Sequence, residues 1–128
     1  RHVLLMDTTF SGNTLRSRAI ESDSLHRIFY ALIIGGELLC AAACLAGAFR
    51  LASRLGAPAA EFDRARGVAV AGLALGFALW FGGFILVCGE WFLMWQSEQW
   101  NGQMAAFRLI VCIGLVLIFL CQPTPEKS

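Results

Sequence analysis

Charged residues are scarce in this 128-residue sequence. Asp, Glu, Lys and Arg make up 15% of it, hydrophobic residues make up 58%, and the mean hydropathy is +0.67. Soluble domains carry about 25% charged and about 45–50% apolar residues, so the composition indicates a membrane protein and excludes a disordered chain. Positive charge is not in excess, because ten Lys and Arg stand against nine Asp and Glu. A nucleic-acid partner is therefore excluded.

Metal-binding and catalytic patterns are also missing. His2 and His26 lie outside the apolar runs described below, so no pair of facing histidines is available for haem. Thiols inside such runs act as small packing side chains, which excludes a disulfide scaffold. All five cysteines lie there: Cys40, Cys44, Cys88, Cys112 and Cys121. The sequence contains no P-loop, dinucleotide-binding or zinc-protease motif, so we expect no cofactor and no catalytic residue.

Three apolar runs are long enough to cross a bilayer, at residues 28–49, 67–88 and 104–121. A hydrocarbon core of about 30 Å needs roughly 20 residues of α-helix. Backbone groups in lipid must be hydrogen-bonded within the segment, so we predict that each run is a helix. The sequence thus predicts a single all-α membrane domain, a polytopic bundle with three transmembrane helices, and a surface helix over residues 14–27.

The segments between the runs predict the orientation of the chain. Residues 50–66 contain four arginines, whereas residues 89–103 contain no Lys or Arg. Lys and Arg residues divide equally between the two sides of the membrane, so the orientation is predicted from the local density of arginines. We expect residues 50–66 and the C-terminal tail, with Lys127, to lie on the cytoplasmic side of a cell inner membrane.

Glu37 is the one acidic residue inside the runs. An acid near a helix centre costs about 3 kcal/mol on an insertion scale, and the Leu, Ile and Phe residues of this run return roughly 4 kcal/mol. Because the net insertion free energy of this run is then only slightly favourable, we expect Glu37 to be buried in protein and paired or protonated, and not to face lipid. An interhelical hydrogen bond or ion pair is the favoured role, and a proton or cation site is the alternative.

Arg108 lies near the start of the third run, and Glu90 follows the end of the second run on the same side. The loop between them is short, so we predict a Glu90–Arg108 ion pair at one membrane level. Extension of Arg108 to the interface, or toward Glu37, remains the alternative.

The connection itself, residues 89–103, joins two antiparallel runs. A connection of this length should bring its two ends together. We predict that Asn101 and Gly102 make the turn into the third run, with Gly102 in the positive-φ conformation that glycine tolerates.

Aromatic residues are concentrated just after the second run: Trp91, Phe92, Trp95 and Trp100. Trp91 and Trp95 are one helical turn apart, so we predict that they share a face toward the membrane interface. The polar residues among them, Gln96, Glu98 and Gln99, should face water. An interfacial aromatic belt is the favoured interpretation, because the indole ring is apolar and its N–H is polar. A docking patch for a quinone, a lipid headgroup or a partner subunit is the alternative.

Small residues form a stripe along one face of the second run: Ala69, Gly72, Gly76 and Gly83. Lipid provides no hydrophobic drive between helices, so close approach of backbones at small residues supplies the packing that holds them together. The stripe packs either within the chain or against another chain.

Three stretches carry a resemblance that covers essentially the whole chain. They are CGEWFLMWQSEQWNGQ with the following MAAFR at residues 88–108, RHVLLMDTTF at 1–10, and RARGVAVAGLALGF at 64–77. These stretches resemble a family of predicted small bacterial integral membrane proteins of unknown function. The resemblance implies a bundle of about four transmembrane helices, so we expect a further helix before Arg1 in the full-length protein. The resemblance implies no activity or cofactor. Cys88 stands at a position where members of the family often have Gly.

These observations favour an accessory or structural subunit that packs against a larger membrane complex, respiratory or photosynthetic. The expected partners are membrane lipids and other membrane protein subunits, or further copies of the chain. The alternative is an oligomeric transporter that passes protons or a small solute past Glu37. A membrane enzyme acting on lipid or quinone near Glu90 and Arg108 ranks last.

Overall fold

The computed structural model describes residues 1–124, so residues 125–128, which include Lys127, lie outside the described residues. The described chain is all-helical, and three of its helices are long and apolar enough to cross a membrane, which confirms the predicted fold class. A short helix, α1, comes first. The elements are α1 (His2–Leu5), α2 (Asp23–Ala52), α3 (Ala59–Phe77), its continuation Ala78–Trp91, and α4 (Gln103–Leu120).

Helix α2 begins earlier than the apolar run. The side chain of Ser22 caps it by accepting a hydrogen bond from the backbone N–H of Leu25 at 3.5 Å, and Asp23 lies in the first turn. Both features favour a helix start, because they satisfy a free N–H and place negative charge at the positive end of the helix. The predicted separate surface helix over residues 14–27 is therefore wrong: Arg16–Arg18 form a single 3₁₀ turn, and residues 23–27 already belong to α2.

Helix α3 continues into Ala78–Trp91, where the hydrogen bonds widen to the π-helical i→i+5 pattern. The wider helix advances each residue by a smaller rotation, so side chains drift off the face that α3 presents. Gly83 illustrates the drift: among the described residues, no atom outside its own helix lies within 4 Å of a Cβ built there. Gly83 therefore does not extend the small-residue stripe within the chain.

Helices α2 and α3 meet through residues with almost no side chain. A Cβ built at Gly47 would lie 2.5 Å from the Cα of Ala69, and one at Gly72 would lie 2.9 Å from the Cβ of Ala43. Gly76 faces both neighbours, since its Cβ would lie 2.8 Å from Cys40 Sγ and 3.3 Å from a methyl of α4. The stripe at residues 69–76 therefore packs within the chain.

The C-terminal end of α4 is bonded to the first half of α3. Arg66, with a side chain only 17% exposed, pairs with Asp63 at 2.9 Å and donates a hydrogen bond to the carbonyl of Leu120 at 2.8 Å. It also donates to the carbonyl of Gln122. Because the last carbonyls of a helix have no partner within it, this arginine satisfies the end of α4.

Candidate functional site

Residues 89–103, from the last turn of the continuation of α3 to the first residue of α4, form one half of the candidate site and are here called the Trp segment. Its three tryptophans are about half exposed, at 55% for Trp91, 44% for Trp95 and 48% for Trp100. Phe92 and Met94, by contrast, are 5% and 4% exposed. The expectation that Phe92 belongs to an exposed docking patch is therefore wrong, because the chain turns after Trp91 and directs this ring inward.

The predicted common face of Trp91 and Trp95 is not supported by a common helix. The helix ends at Trp91, and Leu93 adopts a left-handed conformation with φ of 54°. One helical turn of spacing means a shared face only while the helix continues. Sequence spacing alone does not reveal this break, since a positive φ is uncommon for a leucine.

The N-terminal segment, residues 1–22, covers the Trp segment. The imidazole of His2 stacks on the indole of Trp100, with ring centroids 4.6 Å apart and planes 15° apart. Phe10 meets Trp95 edge to face at 5.8 Å. The residues of each pair are more than 80 positions apart in the chain, so no local pattern predicts these contacts. The two segments together are called the cap.

Polar contacts join the two halves of the cap. The hydroxyl of Thr8 donates to the hydroxyl of Ser97 at 2.9 Å, and the backbone N–H of Phe10 donates to the side-chain oxygen of Gln96 at 3.1 Å. Ser97 is 3% exposed, and Met6 of the N-terminal segment is 1% exposed. Gln96 thus bonds to protein, which corrects the expectation that it faces water, whereas Glu98 and Gln99 are exposed as predicted.

Arg18 covers the ring of Trp91. Its guanidinium carbon lies 4.6 Å from the ring centroid, and the same guanidinium donates a hydrogen bond to the carbonyl of Trp91 at 3.4 Å. A cation over an indole face is attracted by the negative charge density of the ring. The exposed side of Trp91 is thereby partly occupied by the protein's own residue.

His26 fastens the N-terminal segment to α2. Its ring is 9% exposed, and Nε2 donates a hydrogen bond to the carbonyl of Ile20 at 2.6 Å. A carbonyl oxygen can only accept, so this bond places a proton on Nε2. Ile20 in turn donates its backbone N–H to the carbonyl of Leu4 at 2.8 Å. The start and the end of the N-terminal segment and the first turns of α2 are thus linked.

The ends of the Trp segment are neighbours, as predicted from the antiparallel helices. A Cβ built at Gly89 would lie 2.7 Å from the side-chain nitrogen of Gln103, which confirms the prediction. The side-chain oxygen of Asn101 accepts the backbone N–H of Gln103 at 3.1 Å and so makes the turn into α4. Gly102 has a φ of −89°, so the predicted positive φ is wrong. The Asn101 side chain performs the role assigned to glycine.

The predicted Glu90–Arg108 ion pair is wrong. Both side chains are exposed, and within residues 1–124 no ion pair or hydrogen bond engages either of them. Although the two ends of the Trp segment meet, Gln103 rather than Glu90 or Arg108 occupies that junction. Closeness of the loop ends does not determine the direction of side chains five residues further along a helix.

Glu37 lies on the outer surface of α2 and is exposed. It follows the start of the apolar run by nine residues, or about 13 Å along a helix, which is near the middle of a core of about 30 Å. In the described part of the chain it has no ion-pair or hydrogen-bond partner. The chain therefore does not bury this carboxyl group itself, which corrects the expectation of burial for the isolated chain.

The cysteines take part in helix packing where the structure shows their contacts. Cys40 donates its thiol to the backbone carbonyl of Gly72 across the α2–α3 interface at 3.3 Å. All five cysteines are free. Across residues 1–124, no group of three or more His, Cys, Asp and Glu side chains is placed to hold a metal ion.

Comparison with known proteins extends the structural result. No curated protein and no solved structure matches the chain. A family model described as predicted small integral membrane protein (DUF2165) matches residues 1–123, which include all three transmembrane helices and both halves of the cap. The chain belongs to this family of small integral membrane proteins.

Proposed function

We propose that the protein is an accessory or structural subunit of a larger membrane complex. The single observation that carries the proposal is Glu37, an exposed carboxyl group near the middle of a transmembrane helix. An ionised acid at that depth is costly, and such residues face protein or water and pair with other groups. A neighbouring membrane protein that supplies a cation or hydrogen-bond donor would remove this cost.

The rest of α2 supports the same proposal. In the described chain, none of the most apolar 18 residues of this helix is buried. Next to Glu37, the side chains of Leu38 and Leu39 are 66% and 61% exposed. Arg108 on α4 is a second exposed charge inside an apolar helix. Two outward charges on different helices favour contact with other protein on more than one side.

The test compares the size of the complex that contains the chain. Membranes are solubilised in a mild detergent, and complexes are separated by native electrophoresis with detection of a tagged full chain. We expect the wild-type chain to migrate in a larger complex, and the Glu37→Leu chain to insert but to migrate alone. Glu37→Gln should retain part of the complex if a hydrogen bond carries the contact.

Leu38→Ala is the matched control. It removes an exposed side chain from the next position on α2 without changing charge, so the complex should persist. If Leu38→Ala disrupts the complex as strongly as Glu37→Leu, the contact does not depend on the carboxyl group. If the wild-type chain is recovered alone, the proposal fails.

An oligomeric proton or solute pathway past Glu37 is the second candidate. The outward position of Glu37 favours a path between chains over one inside the chain. Purified protein in liposomes should then pass protons, and Glu37→Gln should abolish the flux. Wild-type flux in the Glu37→Gln chain would exclude this pathway.

The tryptophans supply a second proposed contact, with a partner subunit, a quinone or a lipid headgroup. The half-exposed rings of Trp91 and Trp95 support it. A Trp91→Ala and Trp95→Ala double variant should lose the partner while its insertion is unchanged. Retention of every partner, with only lower stability, would show that the two rings serve as anchors.

We also propose that the chain resides in a cell inner membrane with its C-terminal tail in the cytoplasm. The basis is the density of arginines over residues 50–66, at the end of the bundle where α4 also ends. A reporter fused after residue 128 that is active only in the cytoplasm should be active. Activity of a reporter restricted to the other side would reverse the orientation.

A further inference from the structure

An open cavity of about 400 Å³ lies at the end of the bundle where α2 ends and α3 begins. It is here called the arginine cavity. Basic side chains from both helices and the intervening segment surround it. Its lining residues are Arg50, Ser53, Arg54, Glu61, Arg64 and Ala65.

The charges of the arginine cavity are only partly compensated. Arg54 pairs with Glu61 at 3.1 Å, and both side chains are about half exposed. Arg50 and Arg64 are exposed, and within residues 1–124 neither guanidinium forms an ion pair or a side-chain hydrogen bond. The lining therefore holds three guanidinium groups and one carboxylate, which leaves a positive excess.

Arg66 provides an internal comparison. It lies two residues after Arg64, yet its side chain is only 17% exposed and is fully engaged with Asp63 and with the end of α4. The arginines of residues 50–66 thus differ in role. Arg66 holds two helices together, whereas Arg50 and Arg64 line the cavity with donors that no other described residue engages.

The level of the cavity in the membrane is set by the apolar runs. Arg50 directly follows residues 28–49, and Arg64 comes three residues before residues 67–88. Side chains at these positions lie at the boundary between the hydrocarbon core and the headgroups. An anionic group at this boundary is most often the phosphate of a lipid.

We propose that the arginine cavity binds the phosphate group of an anionic phospholipid headgroup. A guanidinium group presents parallel N–H donors that match two oxygens of a phosphate. Basic pockets between transmembrane helices are suited to anionic headgroups. The cavity volume of about 400 Å³ lies within the range of small-ligand sites. Glu61 competes with the phosphate for Arg54.

The first test measures lipid bound to the purified full chain by native mass spectrometry, with phosphatidylglycerol or phosphatidylcholine added. Phosphatidylglycerol should bind more tightly. The Arg50→Gln and Arg64→Gln double variant should weaken its binding about 30-fold. Arg16→Gln with Arg27→Gln is the matched control, since it removes the same charge from two exposed arginines near the other end of α2. Equal weakening by both pairs would overturn the proposal.

The second test uses a variant that should increase the affinity for lipid. Glu61→Gln releases Arg54 from its 3.1 Å ion pair, so phosphatidylglycerol should bind several-fold more tightly to this variant. A purely structural role for the Arg54–Glu61 pair predicts weaker or unchanged binding. Either of those results would overturn the proposal.

Two further arms keep the test decisive. Arg50→Lys with Arg64→Lys preserves the charge that orients the chain, so it inserts even if the Gln variants do not, and it should bind less tightly because Lys lacks the paired donors. Full affinity in this variant would overturn the proposed geometry.

Inorganic phosphate at the concentration of the lipid should not displace phosphatidylglycerol. Displacement would identify free phosphate, and not lipid, as the ligand.

Discussion

The helix bundle and the cap are held together by different kinds of contact. In the bundle, α2 and α3 meet at Gly47, Ala69 and Gly72, where backbones approach so closely that an added Cβ would lie 2.5–2.9 Å from the neighbouring helix. In the cap, large side chains are buried instead, with Met6 at 1% and Phe92 at 5% exposure. Hydrogen bonds and aromatic pairs join its two halves.

The difference follows from the two solvents. Apolar side chains gain nothing by leaving lipid for another helix, so helices in a bilayer associate through close backbone packing and interhelical hydrogen bonds. At the membrane surface, water restores the hydrophobic gain of burying a methionine or a phenylalanine. The bundle should therefore be sensitive to added volume, and the cap should be sensitive to removed volume.

The largest expected effect is that of adding volume to the bundle. Gly47→Leu must displace the backbone of Ala69, so we expect the free energy of unfolding in detergent micelles to fall by about 3 kcal/mol. Gly35→Ala is the control on the same helix, because among the described residues nothing beyond its own helix lies within 4 Å of the new Cβ. Similar losses at both positions would show that close packing at Gly47 does not hold α2 and α3 together.

Removing volume from the cap should have the next largest effect. Met6→Ala leaves a cavity in the cap where a buried side chain stood, so we expect a loss of about 2 kcal/mol. The loss should appear as faster proteolysis of residues 1–22, with the unfolding of the bundle unchanged. Leu15→Ala, at a position 36% exposed, is the control. If Met6→Ala lowers the stability of the bundle as much as that of the cap, the two regions are not separate.

Loss of a buried hydroxyl in the cap should cost less. Ser97 accepts hydrogen bonds from the hydroxyl of Thr8 and from the backbone N–H of Trp100. Ser97→Ala leaves both donors without this acceptor, so we expect a loss of about 1 kcal/mol, measured as faster hydrogen exchange in residues 1–22. Exposed Ser11 is the control site, and Ser11→Ala should leave exchange unchanged. Unaltered exchange in Ser97→Ala would show that these hydrogen bonds do not stabilise the cap.

The smallest effect is expected at Arg18. Its guanidinium lies over the half-exposed ring of Trp91, a contact worth about 0.5–1 kcal/mol at an exposed site. Arg18→Ala should slightly increase quenching of tryptophan fluorescence by a soluble quencher, and Arg18→Lys should restore part of the protection. Exposed Arg16 gives the control, Arg16→Ala. The same change in both alanine variants would assign the effect to net charge.

The contacts of the cap explain why sequence reasoning reached only part of the site. The runs at residues 28–49 and 67–88 predict helices from local composition alone, and the stripe from Ala69 to Gly76 predicts a packing face from its spacing. The pairing of His2 with Trp100 has no such local signal. Rotation of α2 and α4 about their axes also lies beyond composition, so the exposure of Glu37 and the missing Glu90–Arg108 pair were not predicted.

The sequence by itself determined that this protein is a bundle of transmembrane helices, because in lipid every backbone group must bond within its own helix. That requirement acts on each apolar run separately, so it can be read from the run. Only the tertiary structure decided that the N-terminal segment covers the tryptophans, that Glu37 faces outward, and that Arg50 and Arg64 share one cavity. These outcomes depend on how helices rotate and pack against residues distant in the chain.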